Sequence, residues 1–407
     1  LGDITSRRIA SERFAFFLFH PNHSISLFSE QLDPFRRFHP NGISFIGKPM
    51  RLFALLAALL PLLACAPEVR MAGPAVREPA IEAFTSPPLP WRPRMTTALG
   101  PAPLEPRPAG PEPAEALVMQ DGARLPLRVW RPEGEARFLL LAIHGLGDHG
   151  GNFLADAGPI LAAGGALTYA YDQRGFGFAP HRGVWPGAET MRDDALAAAR
   201  LLGARHPGLP LFILGESMGA SVVLLAGTAP EPPPAAGYLL SAPGLWGRAM
   251  MPAVMRGALA AGAHTIPRLA APAVAGGIAA SDNPEALRRF GADPLTLREL
   301  RVDLLHGVVG LMDAALAALP ACCRNPEGPA PTLFLAGAND AVVPIGIQRR
   351  ALGSAGATRL ALYEDGWHLL LRDRIRERVA ADILAFMADP ARPLAAEAAG
   401  RDWLRAP

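Results

Sequence analysis

Cysteine is scarce, with three in 407 residues. So few exclude a disulfide scaffold, and the adjacent Cys322 and Cys323 read as reduced or simply buried. An excess of one charge is also missing. Thirty-nine Lys and Arg face 37 Asp and Glu, for a formal net charge of +2. With no long basic run, the chain lacks the electrostatic footprint of a nucleic-acid partner. The apolar stretch in "MRLFALLAALLPLLAC" (50–65) is too short for a comfortable transmembrane helix. Half of the residues are nonetheless hydrophobic and 19% are charged, so one large domain or two ordinary ones can bury a sizeable core.

That N-terminal stretch has a cationic start at Arg51 and ends Leu62-Leu63-Ala64-Cys65, the pattern of a lipoprotein-type signal peptide over 50–65. Cys65 is the expected lipidation site, which implies a bacterial cell-envelope protein held to a membrane by a lipid anchor. An uncleaved anchor is the plainer alternative. Met50 reads as the initiator, leaving 1–49 as an over-extended start or a disordered extension. Residues 66–115 are dense in proline, as in "PAPLEPRPAGPEP". Proline blocks helix and ladder alike, so this stretch reads as an extended linker.

From 116 the texture changes. "EALVMQDGARLPLRVW" alternates around Asp121-Gly122 and predicts a hairpin. Continuous apolar runs ending in glycine or a turn follow: "RFLLLAIHG", "GALTYAYDQRG", "LFILG", "AAGYLLSAP", "PTLFLAG" and "TRLALYEDG". Runs of that kind suit strands buried on both faces. Helical spacing between them, as over 188–207, predicts a mostly parallel, doubly wound α/β sheet. The stretch at about 245–330 has no strand patterning and is rich in Ala, Leu, Met and Gly. It reads as a helical cap inserted into a domain spanning 116–390, with 391–407 as a C-terminal tail.

A serine hydroxyl is a weak nucleophile until a base takes its proton and a third group orients that base. Gly215-Glu216-Ser217-Met218-Gly219 matches G-x-S-x-G between an apolar strand and a helix, the setting of a nucleophile elbow. The acid and base should follow in that order. Asp340 lies in the loop after "PTLFLAG" and His368 in the loop after "TRLALYEDG", both at the carboxyl edge that carries Ser217. Asp365 is the competing acid. Oxyanion donors are expected from the backbone N–H groups of Met218 and of Leu146 in "HGLGDHGGNF". In that loop, His144 reads as a brace and His149 as a residue of the mouth.

These motifs, with Asp172-Gln173-Arg174-Gly175-Phe176-Gly177, "SAP" at 241–243, Gly337-Ala338-Asn339-Asp340 and "YEDGWH", resemble the monoacylglycerol lipase/lysophospholipase group of α/β-hydrolases. The resemblance covers about 116–390. It implies an α/β-hydrolase fold with a helical cap and a Ser217–His368–Asp340 triad. It also implies an oxyanion hole from Leu146 and Met218. Hydrolysis of monoacylglycerols, lysophospholipids or similar single-chain esters would follow, with no metal or cofactor. Glu216 departs from the group, in which many relatives carry histidine. The cap has the landmarks "DNPE" (282–285) and "DPL" (293–295). Trp246, Met250, Met251, Met255, Leu311 and Met312 are its candidate acyl-chain contacts, with cap–core packing as their plainer role. A peptidase or an acyltransferase is an alternative on the same scaffold, and a non-catalytic envelope binding protein is an alternative of another class.

Overall fold

The computed structural model describes residues 66–89, 107–272, 278–356 and 359–405. The segments 1–49 and 50–65, with Cys65 and the predicted signal peptide, lie outside the described residues.

The described residues form a nine-stranded sheet. Its strands are β1 (Ala80–Ala83), β2 (Glu115–Val118), β3 (Arg124–Trp130), β4 (Phe138–Ile143), β5 (Ala166–Tyr171), β6 (Leu211–Glu216), β7 (Gly237–Ser241), β8 (Thr332–Gly337) and β9 (Leu360–Tyr363). The order is β1-β2-β3-β5-β4-β6-β7-β8-β9. From β5 to β9 all pairings are parallel, whereas β1, β2 and β3 join antiparallel at one edge. The continuous apolar runs arise because both faces are covered. In β4, Leu139, Leu141 and Ile143 enter one core cluster while Phe138, Leu140 and Ala142 enter the cluster on the other face. After β4 the chain winds to β5 on one side and then returns to β6 on the other. The connections leaving β4 and β6 therefore run to opposite sides of β4, which makes this carboxyl edge the topological switch point of the sheet.

Helices cover both faces: α1 (Ala157–Ala163), α2 (Ala188–Arg205), α3 (Met218–Gly227), α4 (Ala253–Thr265), α5 (Pro284–Ala292), α6 (Val302–Ala318), α7 (Ile345–Ser354), α8 (Arg376–Ala388) and α9 (Ala396–Arg405). Between β7 and β8, α4, α5 and α6 make the expected helical insertion. It also holds short ribbons that the sequence did not suggest, Ala270–Pro272 with Glu299–Arg301 and Arg324–Asn325 with Gly328–Pro329. In "DNPE", the Asn283 side chain caps α5 by accepting from the Glu285 and Ala286 N–H groups, with Pro284 in the first turn. The segment Val302–Ala321 is apolar and long enough to cross a membrane by composition. Its Leu304, Val308, Leu311 and Ala315 are instead buried in the domain core.

Two segments differ from their sequence reading. Within the presumed linker, Ala80–Ala83 is free of proline and pairs with β2 along one edge only, which asks for fewer ladder donors than a central position. Upstream, the Arg70 N–H donates to the Trp185 carbonyl and Glu68 pairs with Arg301. Residues 66–89 thus lie against the domain and are not a free tether. The tail is ordered as well. Helix α9 seats Gly400 where a Cβ would meet the Leu360 carbonyl at 1.9 Å, and Arg359 pairs with Glu397 at 2.5 Å. Of Cys322 and Cys323, expected reduced or simply buried, Cys323 is buried and Cys322 half-buried.

Candidate active site

Strand β6 ends at Glu216 and α3 begins at Met218, so the single residue Ser217 makes the whole turn. It adopts φ 55° and ψ −117°, a region that a non-glycine residue occupies only under constraint. The constraint is visible. The Ser217 N–H donates to the Ser241 carbonyl at 2.9 Å, and its carbonyl accepts from Ala220 and Gly244 at 3.0 Å each. The glycines on either side are demanded by crowding. A Cβ on Gly215 would stand 2.5 Å from the Gly219 carbonyl, and one on Gly219 would stand 2.1 Å from that of Ile143.

Asp340 and His368 leave the ends of β8 and β9. Both are 4% exposed, and His368 Nδ1 lies 2.8 Å from Asp340 Oδ2. The carboxylate is fixed on both oxygens. Oδ1 accepts from the Val342 and Val343 N–H groups at 2.9 and 3.0 Å, and Oδ2 accepts from Gln348 Nε2 at 2.8 Å. Burial opposes a charge on His368, but the Asp340 charge and hydrogen bond, with Glu216 beyond, outweigh it and raise its pKa. Asp365 is exposed, away from this pairing. Gln348, fully buried on α7, was missed because a lone glutamine on a helix carries no sequence signal.

The loop after β4 is pressed onto the elbow. A Cβ on Gly145 would lie 3.3 Å from Ser217 Cβ. His144 is buried and braces the loop, as expected. Its Nε2 accepts from the Gln173 N–H at 3.1 Å, so Nδ1 carries the proton and donates to the Gly145 carbonyl at 2.8 Å. Burial lowers the His144 pKa and keeps the ring neutral. Among the described residues, no backbone acceptor takes the Leu146 or Met218 N–H.

His149 is not at the mouth. It is fully buried, with Nδ1 accepting from the Gly151 N–H and Nε2 3.1 Å from Asp293 Oδ2. Asp293 belongs to "DPL", so this landmark ties the cap to the loop after β4. The Leu297 N–H adds a second tie, to the Gly147 carbonyl at 2.8 Å. The Asp172 motif is structural: its carboxylate pairs with buried Arg128 and accepts from the Gly150 and Phe178 N–H groups.

Of the cap candidates, Leu311 is wholly enclosed in the main core cluster, which assigns it to cap–core packing. Met251 is 8% exposed, and Met250 and Met312 lean on the same cluster. Trp246 and Met255 are half-buried. A cavity of about 760 Å³ lies at the far end of α3, lined by Arg200, Glu231, Arg324 and Asn325 among others. It includes none of these residues, and its charged wall does not suit an acyl chain.

A mostly parallel sheet with helices on both faces, an inserted cap and a serine elbow at its carboxyl edge define an α/β-hydrolase. The chain belongs to the family described as serine aminopeptidase, S33, whose model matches residues 134–375. It is 33% identical over 128 residues to human monoglyceride lipase, an alignment covering 31% of this chain and 42% of that enzyme. It is 26% identical over 279 residues to the monoacylglycerol lipase of Mycolicibacterium smegmatis, covering 65% of this chain and 93% of the other. Among solved structures, the monoacylglycerol lipase of Paleococcus ferrophilus superposes with a TM-score of 0.54 at 22% identity. That match covers 66% of this chain and 99% of the other. A soluble variant of monoglyceride lipase from Saccharomyces cerevisiae gives 0.54 at 19% identity, covering 75% and 100%. At these identities the two structures speak to the fold alone.

Proposed function

We propose that the protein is a serine ester hydrolase acting on monoacylglycerols, lysophospholipids or similar single-chain acyl esters. The observation that carries the reading is the Asp340–His368 pair at 2.8 Å, on the sheet edge where the elbow presents Ser217. In this reading Ser217 Oγ attacks the ester carbonyl while His368 Nε2 accepts its proton. Asp340 holds Nδ1–H and so fixes the imidazole tautomer. The Leu146 and Met218 N–H groups stabilise the tetrahedral oxyanion, and His368 then protonates the leaving alcohol. Water, activated by the same imidazole, releases the acid. No metal or cofactor enters the scheme. The lipase names of the sequence relatives support a lipid ester as substrate.

The reading extends to location: a lipid on Cys65 would hold the enzyme to a membrane of the bacterial envelope, beside its substrate. A second reading, a peptidase, is favoured by the family's own description. Full-length protein assayed on p-nitrophenyl esters of graded chain length and on aminoacyl p-nitroanilides separates the two. The proposal expects turnover of medium or long acyl esters, with aminoacyl amides untouched. Turnover of the amides above any ester would replace it with the peptidase.

A further inference from the structure

Behind the nucleophile lies a charged group that the scheme above does not use. Glu216, next to Ser217 in sequence, is 1% exposed, and its Oε1 accepts from Arg372 Nη2 at 2.5 Å. The other arm of the same guanidinium, Nη1, donates to Asp148 Oδ2 at 2.5 Å. Asp148 is in turn held through Oδ1 by the His149 N–H at 2.8 Å and Asn152 Nδ2 at 2.9 Å. Arg372 is 1% exposed and follows His368 by four residues, in a tight turn closed by its own N–H on the Leu369 carbonyl at 2.7 Å. Each member thus comes from a different active-site segment. Glu216 belongs to the elbow after β6, Asp148 to the loop after β4, and Arg372 to the loop after β9. A Cβ on Gly145 would stand 3.8 Å from Glu216 Oε1, so the carboxylate lies directly under the loop that faces Ser217.

Stability does not account for this arrangement. Removing charges from water is costly, and buried pairs are often no better than apolar residues of the same volume. Glu216 Oε2 and Arg372 Nε are also left without hydrogen-bond partners among the described residues. What a two-armed guanidinium supplies is geometry, because each arm fixes a carboxylate in direction as well as distance.

We propose that Glu216 and Arg372, with Asp148, are positioning residues. They lock the elbow, the loop after β4 and the histidine loop in one register, so that Ser217, the Leu146 and Met218 N–H groups and His368 meet the same carbonyl. The inference rests on the ester-hydrolase reading. The charged groups acting on Glu216 are Arg372, His368 and Asp148, and burial pushes its pKa up to about 7. Those acting on His368 are Asp340, Glu216 and Arg372. A charge on Glu216 favours the imidazolium, whereas Arg372 opposes it. Removing the Glu216 charge therefore lets His368 lose its proton at lower pH. A change that only loosened packing would not move that limb.

The test uses the full chain as wild type, Glu216→Gln, Arg372→Lys and the double variant, on the best p-nitrophenyl ester. Thermal unfolding and labelling of Ser217 by a fluorophosphonate are read alongside. Misplacing reacting groups by about an ångström costs up to ~100-fold. Each single variant should therefore lose roughly 10- to 100-fold in kcat with KM within about twofold, and the double variant should be no worse than the poorer single. In Glu216→Gln the acid limb of kcat/KM should also move down, by ~0.5 pH unit or more. A Glu216→Gln protein that unfolds at the wild-type temperature, with kcat within twofold and the limb unmoved, would overturn the proposal. Should Glu216→Gln fail to fold, the charge-conserving Arg372→Lys decides alone: the same kcat loss supports the clamp and an unchanged kcat overturns it. A wild type that neither labels nor turns over any ester refutes the ester-hydrolase reading itself, an outcome distinct from a failed variant comparison.

Discussion

At the scale of single residues, three side chains carry the proposed chemistry, each depending on the next. Ser217→Ala removes one oxygen from a half-buried turn, so the fold should survive while ester turnover falls by ~10⁴-fold or more. Steady-state kinetics on protein free of other esterases checks this. Asp340→Asn should be far more damaging than Asp365→Asn, because only Asp340 reaches His368 Nδ1. The reverse ranking would reassign the acid. The pH profile has a definite sign. His368 must be neutral to act as base, and its pKa is raised above the ordinary imidazole value because Asp340 favours its charged form against the opposing effect of burial. The acid limb of kcat/KM should therefore lie above ~6.5. The tight turn at Ser217 and the Asp340–His368 pairing were legible in the sequence because chain order and strand-end loops constrain them jointly. Gln348, Arg372 and the His149–Asp293 pair were not, since each matters through a partner that no local pattern records.

At the scale of elements, the parallel strands were legible because a strand buried on both faces writes an uninterrupted apolar run, and the elbow because glycine is forced on it. That force has a measurable consequence. A Cβ on Gly219 would meet the Ile143 and His144 carbonyls at 2.1 and 2.6 Å. Gly219→Ala should therefore cost roughly 1–3 kcal/mol and displace the loop that faces Ser217, lowering both the unfolding midpoint and activity. A Cβ on Gly203, in α2, would meet nothing within 4 Å. There, Gly203→Ala should stabilise by about 0.4–1 kcal/mol, through the unfolded chain, with activity unchanged. Paired thermal melts compare the two directly. Strand β1 and helix α9 were hidden for different reasons. The first is four residues long within a proline-rich stretch. The second sits in an alanine-rich tail, where helical spacing alone does not point to β9 as the surface it covers.

At the scale of the whole molecule, the sheet, the cap and the N-terminal segment meet around one edge. The cap is tied to the loop after β4 through Asp293 and Leu297, and the N-terminal segment to the cap through Glu68 and Arg301. If the anchor is a lipid on Cys65, Cys65→Ser should release the protein from the membrane fraction, read by fractionation. Retention as tight as wild type would place the anchor elsewhere. If the cap lines an acyl-chain site, as the proposed function has it, a second whole-molecule demand follows. Each buried methylene contributes about 0.8 kcal/mol, so kcat/KM should rise severalfold per two carbons and then plateau, whereas a preference for acetyl esters would point to a small-substrate esterase. The most direct test of the central claim is to treat the full-length protein with a fluorophosphonate and map the adduct by peptide mass spectrometry. The expected result is a single adduct on Ser217, lost in Ser217→Ala and much slowed in Asp340→Asn. No adduct, or an adduct on another residue, would contradict it.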